Sequence, residues 1–383
     1  SHFVLADSIG DLTAHAKING SGTDFMSPRT KLTAEVGIDK FSIGSYNLDS
    51  ISLKTDMANG KAYAELNSDN PLAKGVIALD AKLNKKTASS TLTADIAYTD
   101  WYGLKLTESQ LATSLRCRVD IGTDMKTMLR ISGMINDLTI ADSGRIYRPD
   151  DLLVDILTSK DTTHFVTECG DFKLHFNGRG GYKKILDKAG EFAQELSAEL
   201  KNKQIDVAEL RKKLPQAQLY LTTGKDNPLS RFIARKGFTF QDADIDISSS
   251  PVLGLNGNIQ LLKLQNSSIT LDTIRFNINS DSTNCTYNAQ VRNNKENKQY
   301  VFNALLDGYI FNKGSGANIK FYDANDSIGV KLGMEASMEE QGIKVHMLTD
   351  ETILGYKKFN VNEDNFLYLG TDRRVSAKLQ LTA

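Results

Sequence analysis

The chain has 383 residues, with 46 Lys and Arg against 47 Asp and Glu, for a formal net charge of −1. That balance excludes the basic surface on which phosphate-backbone recognition depends, so no nucleic-acid partner is expected. The length exceeds the ~100–200 residues of one domain and predicts either two domains or one extended repeat array.

The three cysteines, Cys117, Cys169 and Cys285, are too few and too scattered for a disulfide scaffold or a paired-cysteine site. Cys117 keeps phase with Leu115 and Val119, and Cys285 with Tyr287, Ala289 and Val291, so both read as small apolar fillers. No segment reaches the ~18 consecutive apolar residues of a spanning helix, so no transmembrane segment is expected. No secretory leader is visible, and strand-like sequence starts near Leu12 and is still running at Arg374–Leu381. The chain therefore reads as a piece of a longer protein whose targeting signal lies upstream.

Toward the N-terminus one theme repeats. Leu12, Ala14, Ala16 and Ile18 alternate with Thr13, His15, Lys17 and Asn19, and Leu32, Ala34, Val36 and Ile38 alternate with Thr33, Glu35, Gly37 and Asp39. The same period returns at Ile77, Leu79, Ala81 and Leu83, then at Leu92, Ala94, Ile96 and Tyr98. A period of two with polar partners predicts half-buried strands. Asn19-Gly20-Ser21-Gly22, Asn59-Gly60 and Ser68-Asp69-Asn70-Pro71 supply turns between them. A slip of phase between Leu48 and Ile51 predicts a bulge or a bend. Such strands build a sheet with one wet face and one apolar face. The apolar face must meet a second sheet, helices, its own closure into a barrel, or a guest molecule.

The period then changes. Tyr182, Ile185, Leu186, Ala189, Phe192, Ala193, Leu196 and Leu200 follow helical spacing and predict an amphipathic helix from Tyr182 to Lys203. A short helix is expected from Val207 to Leu214, with Asp206 and Glu209 placed as a capping box and Pro215 after its end. Packing on the apolar face of the sheet is the expected place for these helices. Their mixed flanking charges do not suit a membrane-surface role.

Strands resume near Gln218. Ile274-Phe276-Ile278, Tyr287-Ala289-Val291, Tyr300-Phe302-Ala304-Leu306 and Val330-Leu332-Met334-Ala336-Met338 alternate. Breaks at Asn293-Asn294, Asn312-Lys313-Gly314 and Gln341-Gly342 space them as a meander. Three segments follow: an N-terminal β-repeat over 1–147, a connector carrying the helices over 148–217, and a C-terminal β-repeat over 218–383.

No residue set forms a catalytic signature. His164, Cys169 and His175 fit no compact zinc spacing, and alternation sends strand neighbours to opposite faces. Asp242, Asp244 and Asp246 share one face of a strand with Ile245 and Ile247 on the other, but lack the glycine turn and distal Glu of a calcium loop. They read as the solvated side. Gly178-Arg179-Gly180-Gly181 before the helix reads as a strand-to-helix connector, with an anion cradle as the alternative. There is no Gly-x-Ser-x-Gly elbow and no phosphate loop ending in Gly-Lys-Ser/Thr. A non-enzyme with no cofactor and no metal is the expectation.

Three stretches resemble the TamB family, the translocation and assembly module of bacterial envelopes related to AsmA-like bridge proteins, in its Bacteroidetes form. They are Gly10–Gly22 with its Leu-x-Ala-x rhythm and echoes; the helix leading to Leu214-Pro215 with Asp226-Asn227-Pro228-Leu229 and Ser250–Leu255; and Val361–Phe366 with Arg374–Leu379. The resemblance spans the chain as an internal or C-terminal-half segment. It implies a mainly β fold, an elongated, twisted antiparallel sheet curled into an apolar groove, interrupted by one helical insertion. It also implies a periplasmic location with the full-length protein anchored in the inner membrane. The implied role is phospholipid movement toward the outer membrane, with an outer-membrane barrel protein as a partner.

An acyl chain makes no hydrogen bonds, so an apolar strip holds it by ~0.8 kcal/mol per buried methylene while letting it slide. On that reading the groove lining is Leu12, Ile18, Leu32, Val36, Ile38, Ile77, Leu79, Leu83, Leu92 and Ile96, continued by Ile274, Phe276, Ile278, Phe302, Leu306, Val330 and Leu332. The helix from Tyr182 would plug or cover the groove.

Two rival classes share the pattern. One is an outer-membrane protein assembly factor or chaperone that caps strand edges. The other is a structural or adhesive surface protein of β-sandwich modules with dry cores and clear linkers. A membrane β-barrel would carry aromatic girdles, whereas the sole tryptophan here is Trp101.

Overall fold

The structure, a computed structural model, describes residues 9–24, 27, 29–43, 46–202, 206–281, 284–297, 299–311, 313–349 and 352–383. Asn312, in one expected turn, and Lys203, the expected last residue of the long helix, lie outside the described residues. The chain divides into two compact units, Ser1–Gly170 and Asp171–Ala383.

The first unit holds β1 (Ile9–Ser21), β2 (Lys31–Ile43), β3 (Tyr46–Leu48), β4 (Ile51–Ala58), β5 (Lys61–Asn70) and β6 (Ala73–Leu83). It continues through β7 (Ala88–Asp100), β8 (Leu111–Thr123), β9 (Leu129–Asp142), β10 (Arg145–Tyr147), β11 (Leu152–Thr158) and β12 (Thr162–Cys169). These strands form an antiparallel meander in which short β3 and β10 lie beside their longer neighbours on β2 and β9. The slip between Leu48 and Ile51 is a bend at Ser50, whose φ is 55°.

The registers preserve the two faces through irregularities. Leu12 faces Phe41 and Thr13 faces Lys40, but Ala14 faces Ile38, so Asp39 is an extra residue. That one-residue insertion turns Phe41 back to the face of Ile38 and Val36, as a bulge does.

The second unit runs β13 (Phe172–Arg179), α1 (Tyr182–Asn202), α2 (Val207–Lys213), β14 (Ala217–Thr223), α3 (Pro228–Arg235), β15 (Asp242–Ser250), β16 (Gly254–Gln265) and β17 (Thr270–Ser280). It then runs β18 (Cys285–Asn293), β19 (Phe302–Phe311), β20 (Gly314–Tyr322), β21 (Ile328–Glu339), β22 (Gly342–Met347), β23 (Thr352–Leu354), β24 (Lys357–Val361), β25 (Phe366–Gly370), β26 (Val375–Lys378) and β27 (Leu381–Thr382). From β13 to β22 each strand pairs antiparallel with the next. The array then forks: β21 also pairs β23, while β22 pairs β25. The alternation predicted the strands, and the fold class is the expected one: mainly β, antiparallel and curved, not closed into a barrel, with a helical insertion; the alternation by itself had left closure into a barrel open.

The segment 148–217, read from sequence as a connector, carries β11, β12 and β13 ahead of its two helices. The Asp206 carboxylate caps α2 by accepting from the Ala208 and Glu209 N–H groups at 3.0 Å each. Helix α3 is an additional element. Its eight residues are too few for a periodic signature, but Pro228 follows the Asn227 cap, and Asn227 and Ser230 close a reciprocal capping box.

The accessible surface is 24080 Å². A compact chain of 42.2 kDa would expose about 15,000 Å². The chain therefore leaves more of its surface in water than a compact protein of its mass.

Candidate functional site: an uncovered apolar sheet face

The cross-strand registers assemble the alternating residues into transverse rows. In the first unit one row runs Ala16, Val36, Leu53, Leu66, Ile77, Ala94, Cys117, Ile135, Leu152 and Cys169, each directly opposite the next. Every member is apolar or a thiol. Ten strands at ~4.8 Å spacing give a strip about 43 Å long along the curve of the sheet. A parallel row holds Ile18, Ala34, Leu79, Leu92 and Val119, and another holds Leu32, Met57, Ile121, Ile131, Ile156 and Phe165.

In the second unit Leu174, Leu221, Ile245, Ile259, Phe276, Ala289, Leu306, Ile319 and Leu332 form one unbroken row. Beside it run Leu261, Ile274, Val291, Ala304, Phe321, Val330 and Leu354.

The sequence-derived lining therefore lies on one face within each unit. Ile38 and Ile96 extend it at one end of the strands, paired with Ile51 and Leu115, and Leu83 at the other, paired with Ala88. Ile278 pairs with Tyr287 on the corresponding face. The alternation did not single out Leu53, Leu66, Ile135, Leu174 or Leu221, and it placed Ile245 only on the face away from the aspartates. Register adds them: Leu53, Leu66 and Ile135 stand opposite Val36, Ile77 and Cys117, which the pattern did mark, and Leu174, Leu221 and Ile245 join Phe276 through Ile259.

This face is not a dry core. Of the expected lining residues only Phe302 is buried, stacked on Phe321 with ring centroids 5.6 Å apart. Leu12 and Ile18 are 58% and 66% exposed, and the remainder are half-buried or exposed. Few core residues are fully buried, and several of those sit at the helical insertion: Ile185, Leu210 and Leu214.

Helix α1 does not cover the face along its length. It seats Ile185 on the end of β13 at Gly178, where a Cβ would come within 2.4 Å of Ile185 Cδ1, so glycine there permits the close approach. Farther along, α1 meets α2 through Glu195–Lys213 at 2.8 Å and through Glu199, which accepts the Asp206 N–H at 2.8 Å. Leu186 and Leu200 remain exposed.

The other face is charged and self-satisfied. Lys17, Glu35, Lys54 and Glu65 alternate in sign across four strands, with Lys54 3.6 Å from Glu35. Arg116 pairs with Asp137, which raises the guanidinium further above its usual value through a hydrogen bond and the adjacent charge. Asp120 is held below the usual carboxylate range by the Thr91 hydroxyl and by Arg118.

Asp244 and Asp246 stand beside Thr222 and Tyr220, on the face opposite Ile245 and Ile247, and the two aspartates and two isoleucines are all half-buried. His164 stands beside Leu157 and Cys169 beside Leu152, at positions of opposite parity in β12. Cys169 Sγ donates to the Asp150 carbonyl at 3.2 Å. Among the described residues, no group of three or more His, Cys, Asp or Glu is placed to hold a metal ion. The Arg179 N–H donates to the Gln216 carbonyl at 2.9 Å, and Gly180 has φ 108°, so this segment is an ordered strand-to-helix corner. No described helix is long and apolar enough to cross a membrane.

The fold and this face define a β-repeat protein with an open apolar sheet surface. Compared with known proteins, the chain matches no family model, no curated sequence and no solved structure.

Proposed function

We propose that the apolar face binds the acyl chains of phospholipid, and that the protein is a non-enzymatic periplasmic component of a bacterial envelope moving lipid between inner and outer membranes. The observation that carries this reading is the unbroken row from Ala16 to Cys169, in which every side chain except Cys169 is half-buried or exposed. A dry sandwich core would bury these side chains. An acyl chain fits the strip because neither asks for a hydrogen bond, and each methylene transferred from water contributes ~0.8 kcal/mol. Uniform chemistry along ~43 Å also gives no deep minimum in which the chain would stall.

Organic extraction and mass spectrometry of the purified chain, beside a Leu79→Asp, Ile96→Asp variant, tests the reading. Both residues lie in the apolar rows, opposite Leu92 and Leu115. A carboxylate there must be desolvated beneath an acyl chain. Phospholipid is expected with the parent and lost from the folded variant. A folded parent that carries no lipid and takes none from vesicles rules the reading out.

A further inference from the structure

Helix α3 and the turn after it project an apolar surface that the sheet does not use. Phe232 is 59% exposed and Phe238 is 43% exposed, with half-buried Leu229 and Ile233 on the same side of the helix as Phe232. Apolar side chains grouped on one side of a short connection form a patch of the kind that marks an interaction site.

Their surroundings identify what it meets. Residues 225–239 carry Lys225, Arg231, Arg235 and Lys236 against Asp226, which pairs with Arg231 at 3.1 Å, a net charge of +3 for the segment in a chain whose total is −1, with the Asp171 carboxylate beneath it. The Lys236 ammonium lies 5.8 Å from the centre of the Phe232 ring, so cation and aromatic occupy one surface. A cleft of about 320 Å³ opens beside them, lined in part by Lys225, Arg231 and Phe240.

The base of this feature is fixed. Asn227 is fully buried, and its amide donates to Asp171 Oδ1 at 2.6 Å, Thr223 Oγ1 at 2.8 Å and the Gly224 carbonyl at 3.0 Å. The same side chain accepts the Ser230 N–H at 2.9 Å. A floppy loop would fold its aromatics against the sheet, whereas this helix is held with Phe232 outward.

We propose that α3 and Phe238 form a docking surface for an anionic phospholipid bilayer, with the aromatics entering the headgroup boundary and the cations meeting lipid phosphates. The chemistry is that of an interfacial helix: apolar rings on one side and long basic side chains that reach back to the phosphates. Charge complementarity selects a membrane over a second copy of the chain, because two copies of a patch of net +3 repel when brought face to face across a two-fold axis. This inference concerns a different surface from the acyl-chain strip and stands without it.

The test is sedimentation of the whole chain with vesicles of phosphatidylcholine alone or with phosphatidylglycerol added. Binding is expected only to the phosphatidylglycerol vesicles, weakening with added salt as surface charge is screened. A combined Arg231→Glu, Arg235→Glu, Lys236→Glu variant should bind at least tenfold more weakly. Should that variant misfold, Phe232→Ser with Phe238→Ser carries the same expectation. In a Trp101→Phe background, Phe232→Trp should shift its emission to the blue on the anionic vesicles.

The inference is overturned if the parent ignores anionic vesicles, or if both α3 variants bind as the parent does. It is also overturned if Leu79→Asp, Ile96→Asp abolishes docking while the α3 variants do not, since the sheet face would then be what meets the bilayer. Self-association that is lost on Phe232→Ser, without vesicle binding, would assign the patch to a second copy instead.

Discussion

Asn365 pairs with Met347 as though its side chain were a peptide group. Its Oδ1 accepts the Met347 N–H at 2.6 Å, and its Nδ2 donates to the Met347 carbonyl at 2.8 Å and to the Asn362 carbonyl at 2.9 Å. Asn293 does the same at β17, accepting the Asp272 N–H at 3.0 Å and donating to the Thr270 carbonyl at 3.1 Å. Both side chains are almost fully buried, as is Asn70, which accepts the Leu72 N–H at 2.9 Å and donates to Asp49. In a sheet with little covering mass, carboxamides that complete interrupted ladders supply much of the order at the ends of strands.

Asn365→Asp keeps the shape but removes the donor. It leaves two carbonyls facing a carboxylate and is expected to cost about 2–3 kcal/mol locally. Hydrogen exchange at Met347 and across β22 and β25 should accelerate while β1–β12 stay unchanged. Uniform protection in the variant would show that the amide is not a pin.

Lys263 and Asp272 stand opposite each other at the kink in β16, where Lys263 has φ 54° and its Nζ lies 2.7 Å from Asp272 Oδ1. Burial pushes the Asp272 carboxyl up, but the hydrogen bonds from Lys263 and the Asn294 N–H outweigh it and hold the group below its usual value. A folded-state pKa below the unfolded one stabilises the fold at pH above the unfolded value of ~3.9, and that contribution is lost as pH falls through the folded value. Urea midpoints at pH 6 and pH 3 should therefore differ less in Asp272→Asn than in the parent. The substitution itself should cost about 2 kcal/mol at pH 6.

Cys117 lies mid-row on the apolar face between Ala94 and Ile135 and is half-buried, while Cys169 and Cys285 are buried. Burial also raises the Cys285 thiol above its usual value, lowering its thiolate fraction. In the native chain a maleimide should modify Cys117 first, read as a single mass increment. Loading with phospholipid should slow that step. Equal rates with and without lipid would argue that acyl chains do not run over this row.

Asn227→Ala removes the cap of α3 together with three donated hydrogen bonds. A loss of about 2–3 kcal/mol is expected, with exchange of the Pro228–Arg235 amides rising well before the strands respond. Strand and helix exchanging together would show α3 to be part of one cooperative unit with β14 and β15.

Much of the fold was legible in the sequence because a period of two is a local property. Leu12 to Ile18 and Leu32 to Ile38 declare their faces without reference to anything distant. The long helix was equally plain, ending at Asn202 among the described residues, and Asp206 was recognisable as a cap. Helix α3 left only a short signal, Asn227-Pro228 with Ser230 three residues after the cap.

The sequence by itself determined which residues share a face within each strand and where the turns fall. Register was decided by the tertiary structure. Bulges such as the one at Asp39 and turns such as the one at Ser50 set which residue opposes which, and only then do Ala16 and Cys169 become ends of one row. Coverage was decided there too. Sequence favoured α1 packed on the sheet, but only its Ile185 end meets β13 at Gly178, and the rest leans on α2. Which layer covers a face depends on where distant elements can reach, and alternation along one strand carries no record of that.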